Sequence, residues 1–254
     1  MSSNTWTRDA LSSSAKLANG RCWRFVEAQH RVSTLKITDT ADEQERLESL
    51  LEDSKPPIPE ECRHLDFLLF TPFRYGPYPY SSRFRRTGLT PGVFYTSELP
   101  ETAAAEKAFY RLLFFAESPN TRWPQDAGEF TAFAVEFATG RALDLRTPPL
   151  NADRPIWTHL TDYEGCQQLA DVARQTGIDA IKYECVRRPD PAANIAILHC
   201  RAFARNEPVD RQSWRFHFSA SGVRAICDFP RVLLEFDRGF FSGDPRIAGM
   251  AWDR

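Results

Sequence analysis

The sequence predicts an α+β protein with a mixed, largely antiparallel sheet core and flanking helices. Its last third carries successive strand-like runs, at 194–204, 213–219, 223–229 and 232–237, with Ser221-Gly222 as a hairpin turn between two of them. Two segments, 41–54 and 100–117, hold strong helix formers at helical spacing. No internal repeat is present, and strand and helix do not alternate as a doubly wound parallel sheet requires.

Taken in order, residues 1–20 are rich in Ser, Ala and Asn and read as an N-terminal arm, loosely held or forming a short surface helix. Residues 21–254 then form a single domain. In ADEQERLESLLEDS, Leu47, Leu50 and Leu51 fall at helical spacing, and the helix stops before Lys55-Pro56-Pro57. The apolar run LDFLLFTPF at 65–73 reads as a buried strand and leads into the Gly/Pro/Tyr-rich loop RYGPYPYSSRFRRTGLTPG, a usual place for a site. A strand at 93–97 precedes the helix 100–117, which has Pro100 in its first turn. Further on come a strand at 130–139, an amphipathic helix at 163–175 and a strand at 178–183.

Composition narrows the function. Hydrophobic residues make up 42% of 254, with 19 Phe, which is ample for a packed core and excludes global disorder. A net charge of -2 argues against a protein whose whole surface binds polyanions, so direct nucleic-acid binding is not expected. The six Cys include no C-x-x-C pair and no matching His spacing, which argues against a metal site. No apolar run approaches the length of a membrane span. A soluble cytoplasmic protein with free thiols is the expectation.

Between Phe67 and Ser97 there is no Asp or Glu, while Arg74, Arg83, Arg85 and Arg86 fall inside, beside Tyr75, Tyr78, Tyr80 and Tyr95. Guanidinium forks suit phosphate oxygens, and tyrosine faces suit a base or a nicotinamide ring. An exposed loop collecting Arg and Tyr is the plainer reading of the same residues. Glu106 has mostly small or apolar neighbours at helical spacing, so its carboxylate needs a cation, a donor or a ligand. A salt bridge to Lys107, Arg111 or a loop Arg would meet that need.

The segment FTPFRYGPYPYSSRFRRTGLTPGVFYTSELPETAAAEKAFYRLLFF resembles the core of RES domains. Arg74-Tyr75, Ser82-Arg83-Phe84, Phe94-Tyr95 and Ala105-Glu106 match the family's successive elements, and IKYECVRRPDPAANIAIL resembles its later strand-loop-strand segment. The likeness runs from about residue 23 to 204, with its core over 60–204. Where the family commonly has Ser in Tyr-x-Ser-Val-Arg, this chain has Cys185, a weaker donor. Ser81, Ser82 or Ser97 could substitute if the fold brings one near.

The resemblance implies an ADP-ribosyltransferase-like fold and an NAD-consuming toxin restrained by a DNA-binding antitoxin. The substrate would be NAD, split at the nicotinamide-ribose bond, with inorganic phosphate as a candidate co-substrate and no metal. The catalytic residues would be Glu106, Arg74 and Arg83, with Tyr75, Tyr95, Arg83, Cys185 and Arg187 in ligand binding. Three alternatives stand beside this: a protein-targeted ADP-ribosyltransferase, an inactive module that retains only partner binding, and a binder of some other phosphate compound. Homo- or hetero-oligomers are both compatible with the sequence.

Overall fold

The computed structural model describes residues 6–28, 37–75, 78–88, 90–190 and 192–254. In chain order the elements are α1 (Arg8–Ser14), β1 (Lys16–Glu27), α2 (Ala41–Asp53), α3 (Phe67–Arg74), β2 (Phe94–Ser97), α4 (Pro100–Glu117) and β3 (Gly128–Asp144). There follow α5 (Arg154–Trp157), α6 (Glu164–Gln175), β4 (Ala180–Glu184), β5 (Ala193–Ile197), β6 (Asp210–Ser219), β7 (Gly222–Cys227), β8 (Val232–Asp237) and α7 (Pro245–Ala248). The class is α+β, and the only parallel pairing among the named strands is β3 with β4.

β3 organises the sheet. Its residues 130–142 pair with β1 on one side, residues 128–134 pair with β6 on the other, and its last residues, Ala142 to Asp144, pair with β4. Because β1 also meets β2 at Trp23 and Ser97, the order β1-β2-β5-β4-β3 returns to β1 and closes a ring of five strands. The hairpins β6-β7-β8 extend the sheet from β3. Alternation along the strands divides their side chains between separate cores. Phe94, Phe133, Val135, Ile195 and Ile197 pack in one with Leu65, Leu68 and Leu69. Leu143, Ile181, Tyr183 and Ala196 pack in another with α1 and α6.

Helix α4 begins at Pro100, where the missing N–H costs nothing. Ala103, Ala104, Ala105 and Ala108 are buried, small enough to let the helix lie close on the sheet, and Phe109, Leu112 and Phe115 fill the core beyond them.

Several expectations are corrected. The run at 65–73 is helical: Asp66 caps α3 by accepting from the N–H of Leu68. Leu65, Leu68, Leu69 and Pro72 are its buried residues, spaced i, i+3, i+4 and i+7, which is a helical rather than a strand period. The arm expected over 1–20 is tied down wherever it is described, residues 1–5 lying outside. Leu11 is fully buried, Trp6 packs on Trp157 with ring centroids 4.6 Å apart, and Lys16 already pairs with Ala142. Burying a leucine contributes about 2 kcal/mol, enough to hold a short helix in place. The leucines of α2, by contrast, do not reach a core, since no residue of that helix is buried.

The thiols are not all free. Cys62 and Cys200 form a disulfide with Cα atoms 5.6 Å apart, while Cys22, Cys166, Cys185 and Cys227 are free and buried. The pair is separated by 138 residues, so no local spacing announces it. No helix among the described residues is long and apolar enough to cross a membrane.

Candidate active site

A cavity of about 890 Å³ opens between α4, the face of β2-β5-β4 and the loop between α3 and β2. Residues 76, 77 and 89 of that loop lie outside the described residues. Strand alternation puts Tyr95 and Ser97 on one face of β2, and register sets Asn194 opposite both Ser97 and Tyr183. All four side chains line the cavity, with Glu106 facing them from α4.

Glu106 Oε1 accepts from Asn194 Nδ2 at 2.7 Å and from Cys185 Sγ at 3.1 Å. Both donors are neutral, so they orient the carboxylate without cancelling its charge. Oε2 has no hydrogen-bond partner among the described residues. The expected ion-pair partners are engaged elsewhere: Arg111 lies 3.8 Å from Glu27, and the Lys107 ammonium sits 4.7 Å from the centroid of the Phe130 ring. Burial and the neighbouring Glu106 charge push the Cys185 thiol well above its ordinary range. It therefore stays protonated and able to donate.

The predicted arginines separate. Arg74 does not line the cavity; it pairs with Glu52 of α2 at 2.6 Å and donates through Nε to the carbonyl of Pro56. Arg83 borders the cavity but is buried, donating to the carbonyls of Trp157 at 2.6 Å and His159 at 3.0 Å, with its guanidinium over the Tyr163 ring. Arg187 also borders the cavity and is clasped by Asp244 at 2.6 Å, both side chains being 2% exposed. Arg246 shares that carboxylate at 2.8 Å and donates to the Leu160 carbonyl.

Arg24 and Arg85 carry the cationic face that the cavity presents. Neither forms an ion pair among the described residues. Arg85 lies over Tyr78, 3.7 Å from the ring centroid, and its Nη1 is buried with no hydrogen-bond partner among those residues. Arg24 donates to the Tyr95 carbonyl, and burial pushes its guanidinium down to about 10, still charged at neutral pH. Tyr75 lines the cavity. The Tyr95 hydroxyl bonds with Ser82 Oγ at 2.9 Å and accepts from the N–H of Phe84, tying the arginine loop to β2. Cys185 stands behind Glu106 rather than on the cavity wall.

Sequence reasoning missed Asn194, Arg24 and the Asp244-Arg246 pair. Asn194 left a signal, a lone polar residue in the otherwise apolar strand ANIAI, which requires a partner once buried. Among the described residues no group of three or more His, Cys, Asp or Glu could hold a metal ion.

An α+β protein with a carboxylate facing an Arg- and Tyr-lined cavity is equipped to stabilise positive charge on a phosphorylated ligand. The family model described as the RES domain matches residues 58–219, and the chain belongs to that family. No curated protein matches it. Among solved structures it is similar to a chain in the crystal structure of the M. tuberculosis MbcT-MbcA toxin-antitoxin complex. That similarity has a TM-score of 0.43 and 10% identity, and covers 93% of this chain and 96% of the other.

Proposed function

We propose that this chain is a toxin-type enzyme that consumes NAD by breaking the nicotinamide-ribose bond, with a DNA-binding antitoxin as its restraining partner. Membership of the RES family supports the class. The observation that carries the chemistry is Glu106, held through Oε1 by two neutral donors and lining the cavity.

Cleavage of that bond leaves positive charge on the ribose, and nicotinamide departs without needing a strong nucleophile. A fixed carboxylate beside the ribose lowers the barrier because it is oriented before charge develops. Tyr75 and Tyr95 offer ring surface to the nicotinamide riboside half. Arg85, with a buried N–H lacking a partner, suits a phosphate of NAD or an inorganic phosphate acceptor. Arg83 and Arg74 act through the segments they hold, Arg83 by fixing the 157–159 turn and Arg74 by anchoring the end of α3 just before Tyr75.

The test is NAD concentration over time with purified protein, with and without inorganic phosphate, beside Glu106→Gln. Wild-type NAD loss that falls by about 100-fold or more in the variant supports the reading. Acceleration by phosphate identifies phosphorolysis, and free ADP-ribose identifies hydrolysis. NAD that stays intact under every condition sinks the proposal.

A further inference from the structure

Asn194 is 2% exposed, and both ends of its amide are engaged. Ser97 Oγ donates to Oδ1 at 2.6 Å, and Nδ2 donates to Glu106 Oε1 at 2.7 Å. The carboxylate decides which way round the amide sits, because the flipped amide would set oxygen against oxygen. Ser97, whose hydroxyl can donate or accept, then donates to the Oδ1 that remains and holds the amide in place. The strand register fixes this arrangement, since Ser97 and Asn194 are direct partners across β2 and β5. Ser97 is also the residue through which β1 meets β2, so the chain of contacts starts at the seam of the five-strand ring.

We infer that Asn194, locked by Ser97, is a positioning residue that holds the Glu106 side chain aimed into the cavity. The inference rests on the NAD-cleaving reading for its kinetic consequence, but the physical coupling of the three residues can be read without substrate. The Asn194 donor goes to a carboxylate that lines the cavity and that, among the described residues, pairs with neutral groups alone.

Three variants test it. Asn194→Asp sets a second carboxyl within hydrogen-bond distance of Glu106, and two such groups cannot both ionise. The acid limb of kcat then moves to higher pH, while KM for NAD stays within about twofold of wild type. Asn194→Ala lowers kcat by about 10- to 100-fold, the size expected for losing a hydrogen bond to a charged group. Ser97→Ala, which leaves the amide in place but unlocked, lowers kcat by less. Carbon NMR of the Glu106 carboxyl, assigned with Glu106→Gln, reads the coupling directly: its titration in Asn194→Asp occurs over a higher pH range than in wild type. Circular dichroism establishes that each variant is folded. A moved carboxyl titration with no NAD turnover in wild type supports the positioning role and removes the proposed function. NAD turnover with unchanged acid limb and unchanged carboxyl titration in Asn194→Asp overturns the positioning role.

Discussion

The thiol of Cys185 donates to the carboxylate of Glu106 across 3.1 Å. A hydroxyl at the same place is the stronger donor. Cys185→Ser therefore raises kcat for NAD loss by about two- to tenfold, and Cys185→Ala lowers it by a similar factor. A serine variant slower than the alanine variant would show that this contact does not serve Glu106. The thiol, pushed up by burial and by Glu106, also resists iodoacetamide in the native protein at pH 8 and is labelled only after unfolding, as mass spectrometry would read.

Arg187 and Asp244 form a buried ion pair, so removing one partner strands the other charge. Asp244→Ala lowers unfolding free energy by about 3–5 kcal/mol, measured by urea denaturation. Replacing both, as Arg187→Met with Asp244→Leu, recovers much of that loss because no lone charge remains buried.

The same carboxyl sets an acid limit. Burial works to raise its pKa, but hydrogen bonds from Arg246 and the charges of Arg187 and Arg246 outweigh burial and hold it below the ordinary carboxylate range. A carboxyl depressed in the folded state stabilises fully above its unfolded value of about 3.9, and that stabilisation is lost as pH falls through the lower folded value. Wild type should thus lose stability as pH falls below about 4, and Asp244→Asn, less stable at neutral pH, should show a shallower decline over the same range. Parallel slopes for the two proteins would contradict the assignment.

Arg85 and Arg74 part company in binding. Arg85→Ala weakens NAD affinity by about 10- to 100-fold, since it removes a charged donor lining the cavity. Arg74→Ala lowers the unfolding midpoint through loss of its bonds to Glu52 and Pro56 and changes affinity less. Calorimetric titration of both variants distinguishes them, and equal losses of affinity would mean that Arg74 reaches the ligand.

Gly92 precedes β2 where the chain crosses α3, and a Cβ built there would lie 1.6 Å from the carbonyl oxygen of Pro72. Gly92→Ala must push α3 aside, destabilising the protein by about 1–3 kcal/mol. Because Tyr78 also donates to that carbonyl, the variant should weaken ligand binding as well.

Much of the site's first layer was legible because it is local. Pro100 and the alanines that follow mark α4 from its first residue to its last, and the family motif carries Glu106 and Tyr95. The short run around Leu68 was misread because nine mostly apolar residues support either period until burial is known. What holds Glu106 was legible only in part: the resemblance marked Cys185 as a site residue, whereas Asn194 lies 88 positions away and only strand register brings it to the carboxylate. Arg24 was missed because it lies on β1, a strand that the sequence reading did not assign. The arginines were overcounted because spacing shows that a guanidinium is nearby but not which carbonyls have already claimed it.

The clasp between Arg187 and Asp244 also orders events in time. A ribosome delivers Arg187 57 positions before the carboxylate that neutralises it, and Arg246 arrives later still. Until then the catalytic wall has an uncompensated charge beside Glu106's thiol partner and no C-terminal segment to close it. A growing chain therefore carries every residue of the Arg-Tyr-Glu core well before it can assemble a finished site. Synthesis itself thus leaves an interval in which the chain exists without a finished site.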